Sequence, residues 1–339
     1  MSAPPLRGTR PAWDSTPVRR VLPGVLTTAA LLALAAGLLA TVLRLAGPTD
    51  DTWALVASFV PYLQLGYPLA LVLLLLAALR ARRRRGLGLL ALLAAALTAL
   101  HVAWAAPFFV PDHRPVVGPQ VRLLTQNAYN GQVDVPALTA AAADVDVVVL
   151  SETTPDLLHA LQTAAWGREF PYALGDDSGP PSNTTVFSRY PLSQSESFGH
   201  VSFNQWVTTV AAPGRTPVRL IAAHPCNPYC GYGQFAADHA LLEGQVRANL
   251  DAPLVVAGDL NAIDEHAPLL RLRADGMRSA TDLVGGGWVP TWPANRAFPP
   301  LLPIDHVLVD DQLTATSLRT VHLPGTDHLG LVVTLAGTR

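Results

Sequence analysis

Three uninterrupted apolar runs constrain this chain more than any other feature. Val21 to Leu43 is 23 residues without a charge, Trp53 to Leu79 is 27, and Gly86 to Val110 is 25. A helix needs roughly 20 apolar residues to cross the hydrocarbon core of a bilayer. Residues 21–110 are therefore expected to form three transmembrane helices behind a tail of residues 1–20. The first run has an alternative reading as a cleaved signal peptide, because Arg19 and Arg20 precede it. Two further spans and the lack of an evident cleavage region speak against it.

Arginine placement gives an orientation. Arg7, Arg10, Arg19 and Arg20 precede the first run, and Arg80 with Arg82 to Arg85 fill the short connection between the second and third. The other connection carries Asp50 and Asp51 instead. The positive-inside rule puts the tail and the arginine loop in the cytoplasm. Residues after Val110 are then expected outside a multi-pass cytoplasmic membrane. His101 inside the third run reads as a helix-interface residue. Pro107, Pro111, Pro115 and Pro119 mark the exit, and residues 111–120 are expected to be a short, stiff linker.

The mean hydropathy of +0.29 belongs to these runs, because residues 121–337 have the mixed composition of a globular domain. Apolar stretches such as Val121–Asn127, Val145–Glu152, Pro217–His224, Pro253–Asn261, Ile304–Asp310 and Asp327–Leu335 alternate with helix-like segments. Continuous runs of this kind predict buried strands with helices over the sheet faces, an α/β domain.

The polar residues fall at the ends of those strands. Asn127, Glu152, His224 and the Asp259/Asn261 pair close four of them, while Asp305 with His306 and Asp327 with His328 open two more. One carboxylate at a strand end is usually a turn or cap residue. Six strands sharing the habit predict a common mouth where Glu152, Asp259, Asp305 and Asp327 crowd together. Carboxylates at close range repel, and a hard divalent cation is the simplest compensation.

The ordered set Gln126-Asn127, Ser151-Glu152, Phe187 to Leu192 (FSRYPL), His224-Pro225, Gly258 to Asn261 (GDLN), Thr291 to Pro293 (TWP), Ile304 to Leu308 (IDHVL) and Thr326 to His328 (TDH) resembles the endonuclease/exonuclease/phosphatase superfamily. That superfamily includes DNase I, abasic-site endonucleases, inositol polyphosphate 5-phosphatases and neutral sphingomyelinases. The resemblance implies a four-layer α/β sandwich of two packed β-sheets flanked by helices, and a phosphoesterase using Mg²⁺ or Mn²⁺. It implies Glu152 as metal ligand, with Asn127 and Asp327 helping to hold the metal or its waters. Asp259 and Asn261 would orient water and phosphoryl oxygens. His328, held by Asp305, would face the scissile phosphate, and His224 would hydrogen-bond the transition state. Asn127 and Trp292 are further expected to contact substrate, whereas His306 is not expected to act directly. The three-span arrangement is also similar to VanJ-type membrane proteins of actinobacterial glycopeptide (teicoplanin) resistance. That similarity implies an antibiotic-resistance role at the cell envelope.

Cys226 and Cys230 are the only cysteines. On an oxidising face this pair is expected to form a disulfide that fixes the loop after His224. A zinc site with His224 lacks an evident fourth ligand. Residues 111–339 carry 13 Arg against 22 Asp and Glu, a net charge of −9 from 13 − 22. Grip on a polyanionic backbone normally needs a basic footprint, so no stable nucleic-acid partner is expected. The expected partners are the lipid bilayer and a phosphorylated lipid substrate, with Phe298 to Pro303 (FPPLLP), Trp288 and Trp292 near its chains. Two alternatives stay open: a surface nuclease, and a non-catalytic protein that binds a lipid carrier.

Overall fold

The computed structural model describes residues 17–81, 85–163, 165–175, 183–198 and 202–338. Arg82, Arg83, Arg84 and residues 1–16 of the expected tail lie outside them. The chain divides into two compact units, one of residues 1–42 and 60–103, the other of residues 43–59 and 104–339.

The first unit is helical. Among the described residues three helical stretches, Val21–Ala46, Val60–Arg80 and Arg85–Phe109, are long and apolar enough to cross a membrane. Gly66 lies against the backbone carbonyl of Ala33, where a Cβ would collide. Small residues allow this close helix approach without a hydrophobic drive between helices. His101 joins the helices with polar bonds, its Nδ1 2.7 Å from Gln64 Oε1 and its Nε2 3.0 Å from Thr41 Oγ1.

The second apolar run departs from expectation. Trp53 does not begin a span; Asp51–Ala57 is a separate short helix capped by Asp50, whose side chain accepts from Trp53 N. Ala54 in that helix is fully buried in a core cluster with Val207, Ile221, Phe235 and Leu242 of the second unit. Apolar residues that face a protein core and those that face lipid look alike in a hydropathy profile, so the sequence merged them. His266 fastens the segment: its Nδ1 accepts from Ile263 N at 3.0 Å and its Nε2 donates to Ala54 O at 2.8 Å. Asp51 accepts from Gly233 N, and Arg44 pairs with Glu265.

These bonds require neutral His266, and burial holds its pKa down to about 4 against an ordinary 6.5. The unfolded chain therefore binds more protons between those values, and the contribution of His266 to stability is lost as pH falls through that window. His266→Ala is expected to destabilise this unit by about 2 kcal/mol, because it strands a buried N–H and a buried carbonyl. Thermal unfolding of the detergent-purified variant at pH 5 and 7.5 checks both points. An unchanged midpoint at both pH values would rule out this role.

The residues expected to form a linker are also docked. Gly287 N donates to Phe108 O, Asp112 N donates to Leu283 O, and Asp112 pairs with Arg278 and Arg114. The first strand starts at Val116, inside the stretch 111–120, because these pairs hold the approach to the sheet.

Among the described residues twelve strands follow: β1 Val116–Asn127, β2 Val147–Thr153, β3 Tyr172–Leu174, β4 Asn183–Ser188, β5 Leu192–Ser197, β6 Trp206–Val210, β7 Val218–Ala222, β8 Leu254–Asp259, β9 Arg278–Ser279, β10 Asp305–Val309, β11 Leu313–His322 and β12 Leu329–Thr338. They form two six-stranded mixed sheets, ordered β11-β12-β1-β2-β4-β3 and β5-β6-β7-β8-β10-β9. At the centre of each sheet is one parallel pair, β1 with β2 and β7 with β8. A helix connects each pair, Val135–Ala141 in one and Gln234–Ala248 in the other, as parallel strands require a crossover.

Side chains alternate across each sheet with the period of two that strands impose. Val121, Leu123, Val147 and Val149 meet Leu220, Ala222, Val255, Ala257 and Val307 in a shared core between the sheets. Leu124, Val148 and Leu150 turn outward onto helices on one side, and Leu254 and Val256 do so on the other. The layers are helix, sheet, sheet, helix, the expected four-layer sandwich. Parallel strands end on the same edge, so β1, β2, β7 and β8 release their carboxyl ends where a ligand site is usually built in open α/β sheets.

Candidate active site

The sandwich brings the polar strand ends to one rim. Asn127 ends β1 beside Ser151 of β2, and Asp259 at the end of β8 is the direct cross-strand partner of Asp305 at the start of β10. Glu152 is reached through a register shift in β2 after Leu150, and its φ is +57°. Asn261 likewise sits at φ +49°. Non-glycine residues rarely adopt this conformation, and at a functional site the surroundings hold them there. For Glu152 the holding groups are Asn127, whose Nδ2 donates at 3.0 Å, and Asn130, whose backbone N donates at 2.8 Å. Gly258 precedes Asp259 at φ +150°, where a Cβ would strike Ala223 O of the neighbouring chain segment. Only glycine lets β8 lie this close to the residue before His224.

Asn127 sits beneath the carboxylates. Its amide also donates to Asp259 Oδ2 at 3.0 Å, while its Oδ1 accepts from Tyr129 N at 2.8 Å. The amide of Asn127 thus aligns two carboxylates, Glu152 and Asp259. Asp259 Oδ1 accepts from Asn261 N at 2.9 Å, and Asn261 Nδ2 donates to Pro225 O at 3.0 Å. Burial, reinforced by Asp305, pushes the Asp259 carboxyl up to about 7.

His328 is the cation of the site. Its Nδ1 is 2.8 Å from Asp305 Oδ2, and its Nε2 lies 3.7 Å from Asp259 Oδ2 and 3.8 Å from Asp327 Oδ1. Burial alone would lower its pKa, but Asp305, Asp259 and Asp327 overcome that and raise it to about 10. His224 goes the other way: burial lowers it to about 4 despite Glu152. Its Nε2 is 3.8 Å from Asp259 and 4.0 Å from Glu152, and its ring stacks on Phe203 at 4.5 Å. At neutral pH one imidazole is charged and the other is not.

A cavity of about 270 Å³ opens over this cluster, bordered by Glu152, Asp259, Asn261, Asp327 and His328 on its polar side. Trp292 also borders it, and its Nε1 donates to Asp327 Oδ2 at 3.0 Å. Cys226 and Cys230 are disulfide-bonded with Cα atoms 6.1 Å apart, and the intervening Asn227, Pro228 and Tyr229 reach the cavity edge. His306 is elsewhere, bonded through Nε2 to Ala262 O at 2.8 Å.

The donor set fits a divalent cation. Glu152, Asp259, Asp305 and Asp327 face a single imidazolium, and Asp305 Oδ1 and Asp327 Oδ1 are buried without a hydrogen-bond partner. Asp259, Asp305 and His328 bring ligand atoms within 4.8 Å of one another. An imidazolium has no lone pair to offer, however, so a cation here would rest on carboxylate oxygens, with Glu152 and Asp327 as the candidates at the cavity.

Several supporting residues carry no signal strong enough to single them out in the sequence. Thr291 Oγ1 accepts from Ile304 N and Asp305 N, and Thr326 Oγ1 donates to Asn127 O while accepting from His328 N. Gln205 Oε1 accepts from His224 N. Thr291 and Thr326 sat inside the TWP and TDH motifs without an assigned role. Phe203 and Gln205 had no motif at all.

The sequence profile of the endonuclease/exonuclease/phosphatase family matches residues 121–328. No curated protein matches the chain. Among solved structures, an endonuclease/exonuclease/phosphatase from Beutenbergia cavernae is similar at TM-score 0.53 and 20% identity, covering 65% of this chain and 72% of that one. TDP2 of D. rerio complexed with single strand DNA product gives TM-score 0.53 and 17% identity, covering 64% and 98%. The human Nocturnin catalytic domain with bound sulfate gives 0.51 and 16%, covering 68% and 99%. At these identities the likeness is one of fold.

Proposed function

The chain belongs to the endonuclease/exonuclease/phosphatase family, and we propose that it is a membrane-anchored, divalent-metal-dependent hydrolase of phosphoester bonds in a membrane lipid or lipid carrier. One observation carries the hydrolase reading: a cationic His328, a neutral His224 and a carboxyl at Asp259 raised to about 7 share one rim with Glu152. Groups whose surroundings push their protonation apart divide acid and base work between them.

Each side chain has a part in hydrolysis. Asp259, poised near neutral pH, accepts a proton from an attacking water, and Asn261 orients that water and the phosphoryl oxygens. His328 presents a charged N–H to the phosphoryl group while Asp305 holds its ring. His224 offers an uncharged N–H to the same oxygens. A cation held by Glu152 and Asp327 would neutralise charge developing on those oxygens.

The lipid reading is supported by the three apolar helices and by the net charge of −9 over residues 111–339, which opposes a nucleic-acid backbone. We place the N-terminus in the cytoplasm and the catalytic unit outside, and we attach envelope antibiotic resistance to the activity as its physiological consequence. Purified full-length protein in detergent, assayed with Mg²⁺, is expected to release phosphate or headgroup from lipid-linked phosphates and to leave plasmid DNA uncut. DNA cleavage without lipid turnover would favour the surface nuclease instead. Absence of any metal-dependent turnover would leave only a lipid-carrier-binding role.

A further inference from the structure

Part of the catalytic cavity is built by residues outside the family-matched segment 121–328. Leu55, Ser58 and Phe59 border it, and they come from the stretch between the first and second apolar helices. Leu302, Ile304 and Tyr229 complete an apolar side next to the carboxylate floor. The cavity therefore has two chemistries: charge at its base, and hydrocarbon and aromatic surface along its wall.

This wall is a fixed surface. Ala54 is fully buried in the core, and His266 and Asp51 tie the same short helix to the catalytic unit. Among the described residues its apolar face is nevertheless not covered by protein. Phe59 is 45% exposed and Tyr229 is 74% exposed, while Leu55 is half-buried. A small hydrophilic phosphate ester would make no use of these side chains, whereas hydrocarbon would bury them favourably. The residue after Phe59 begins the apolar helix Val60–Arg80. The wall is thus covalently continuous with a helix of bilayer-spanning length.

We infer that Leu55 and Phe59 are specificity-determining residues that receive the hydrocarbon adjoining the phosphoryl group of a membrane lipid. The segment between the first two apolar helices, and not the family core alone, then selects the substrate. This rests on the phosphoester-hydrolase reading given above.

The test uses full-length protein in detergent with Mg²⁺ and two substrate series, alkyl phosphates and p-nitrophenyl alkyl phosphates, each with methyl, octyl and hexadecyl chains. For the wild type, kcat/KM is expected to rise with chain length. In Leu55→Gln and Phe59→Gln the ratio of hexadecyl to methyl kcat/KM is expected to fall about tenfold, mainly through KM, the scale set by burying one large apolar side chain. Trp53→Gln alters the same helix outside the cavity and is expected to keep the wild-type ratio. An unchanged ratio in both wall variants, or an equal fall in Trp53→Gln, overturns the inference while the hydrolase reading stands. If the wild type cleaves neither series, both fall together.

Discussion

Replacing His328 with glutamine is expected to lower kcat about a thousandfold while KM changes little. Glutamine keeps a donor of similar reach but loses the charge, and a positioned acid or charged donor is worth two to four orders of magnitude, roughly, in a transition state. The structure makes that charge unusually persistent. Burial opposes it, yet Asp305 at 2.8 Å, Asp259 and Asp327 hold the imidazole protonated up to about 10. Since the folded pKa lies above the ordinary 6.5, the active form survives through neutral pH, and the alkaline limb of kcat/KM belongs well above 6.5. Asp305→Asn removes the strongest stabilising carboxylate, so it should shift that limb toward lower pH and lower kcat about a hundredfold. The two residues act as one unit, so the double variant should be little worse than His328→Gln alone. A pH profile of the three variants on any cleaved lipid phosphate decides the matter. A His328→Gln enzyme within tenfold of wild type would remove His328 from the chemistry.

The parts of this site that could be read from sequence are those where backbone geometry and side-chain type coincide. Continuous apolar runs such as Val147–Leu150, bounded by polar residues, read as strands buried on both faces, and the polar residue closing such a run falls at the sheet edge. The parallel pairs β1/β2 and β7/β8 put those edges side by side, which is why Asn127, Glu152 and Asp259 meet. The direction of Asn127 was not readable. Residue type gives an amide at the rim, but only the turn through Tyr129 occupies its oxygen and points its nitrogen at two carboxylates. The acid–base division between His224 and His328 was also hidden. It depends on burial, which outweighs Glu152 at His224, while at His328 three carboxylates in reach outweigh burial. The boundary at Trp53 failed for a different reason. Hydropathy measures how apolar a residue is, and Ala54 is equally apolar in lipid and against Ile221 and Phe235.

Chelation should abolish turnover, and Glu152 should be the side chain through which it does so. Four carboxylates share the rim with one imidazolium, and Asp327 and Asp305 each keep a buried oxygen that no hydrogen bond satisfies. Such an excess of negative charge is unfavourable by itself and becomes favourable with a hard cation among the oxygens. EDTA-treated protein is therefore expected to lose about a thousandfold in kcat, with Mg²⁺ or Mn²⁺ restoring it. Glu152→Gln keeps the shape, but only one of Asn127 and Asn130, which bind separate carboxylate oxygens, keeps its acceptor, and the change halves the ligand and removes its charge. It should weaken Mn²⁺ binding, followed by calorimetry or spin resonance, at least about a hundredfold, because even residues that only support ligands cost ten to a hundredfold, roughly, when changed. Cation binding to the folded state alone also predicts a rise in thermal midpoint with Mg²⁺ concentration. That rise should shrink in Glu152→Gln and persist in His328→Gln, separating the cation's holder from the proton's. Full activity in EDTA, or a Glu152→Gln protein that binds Mn²⁺ as tightly as wild type, would mean that these oxygens serve some purpose other than holding a metal.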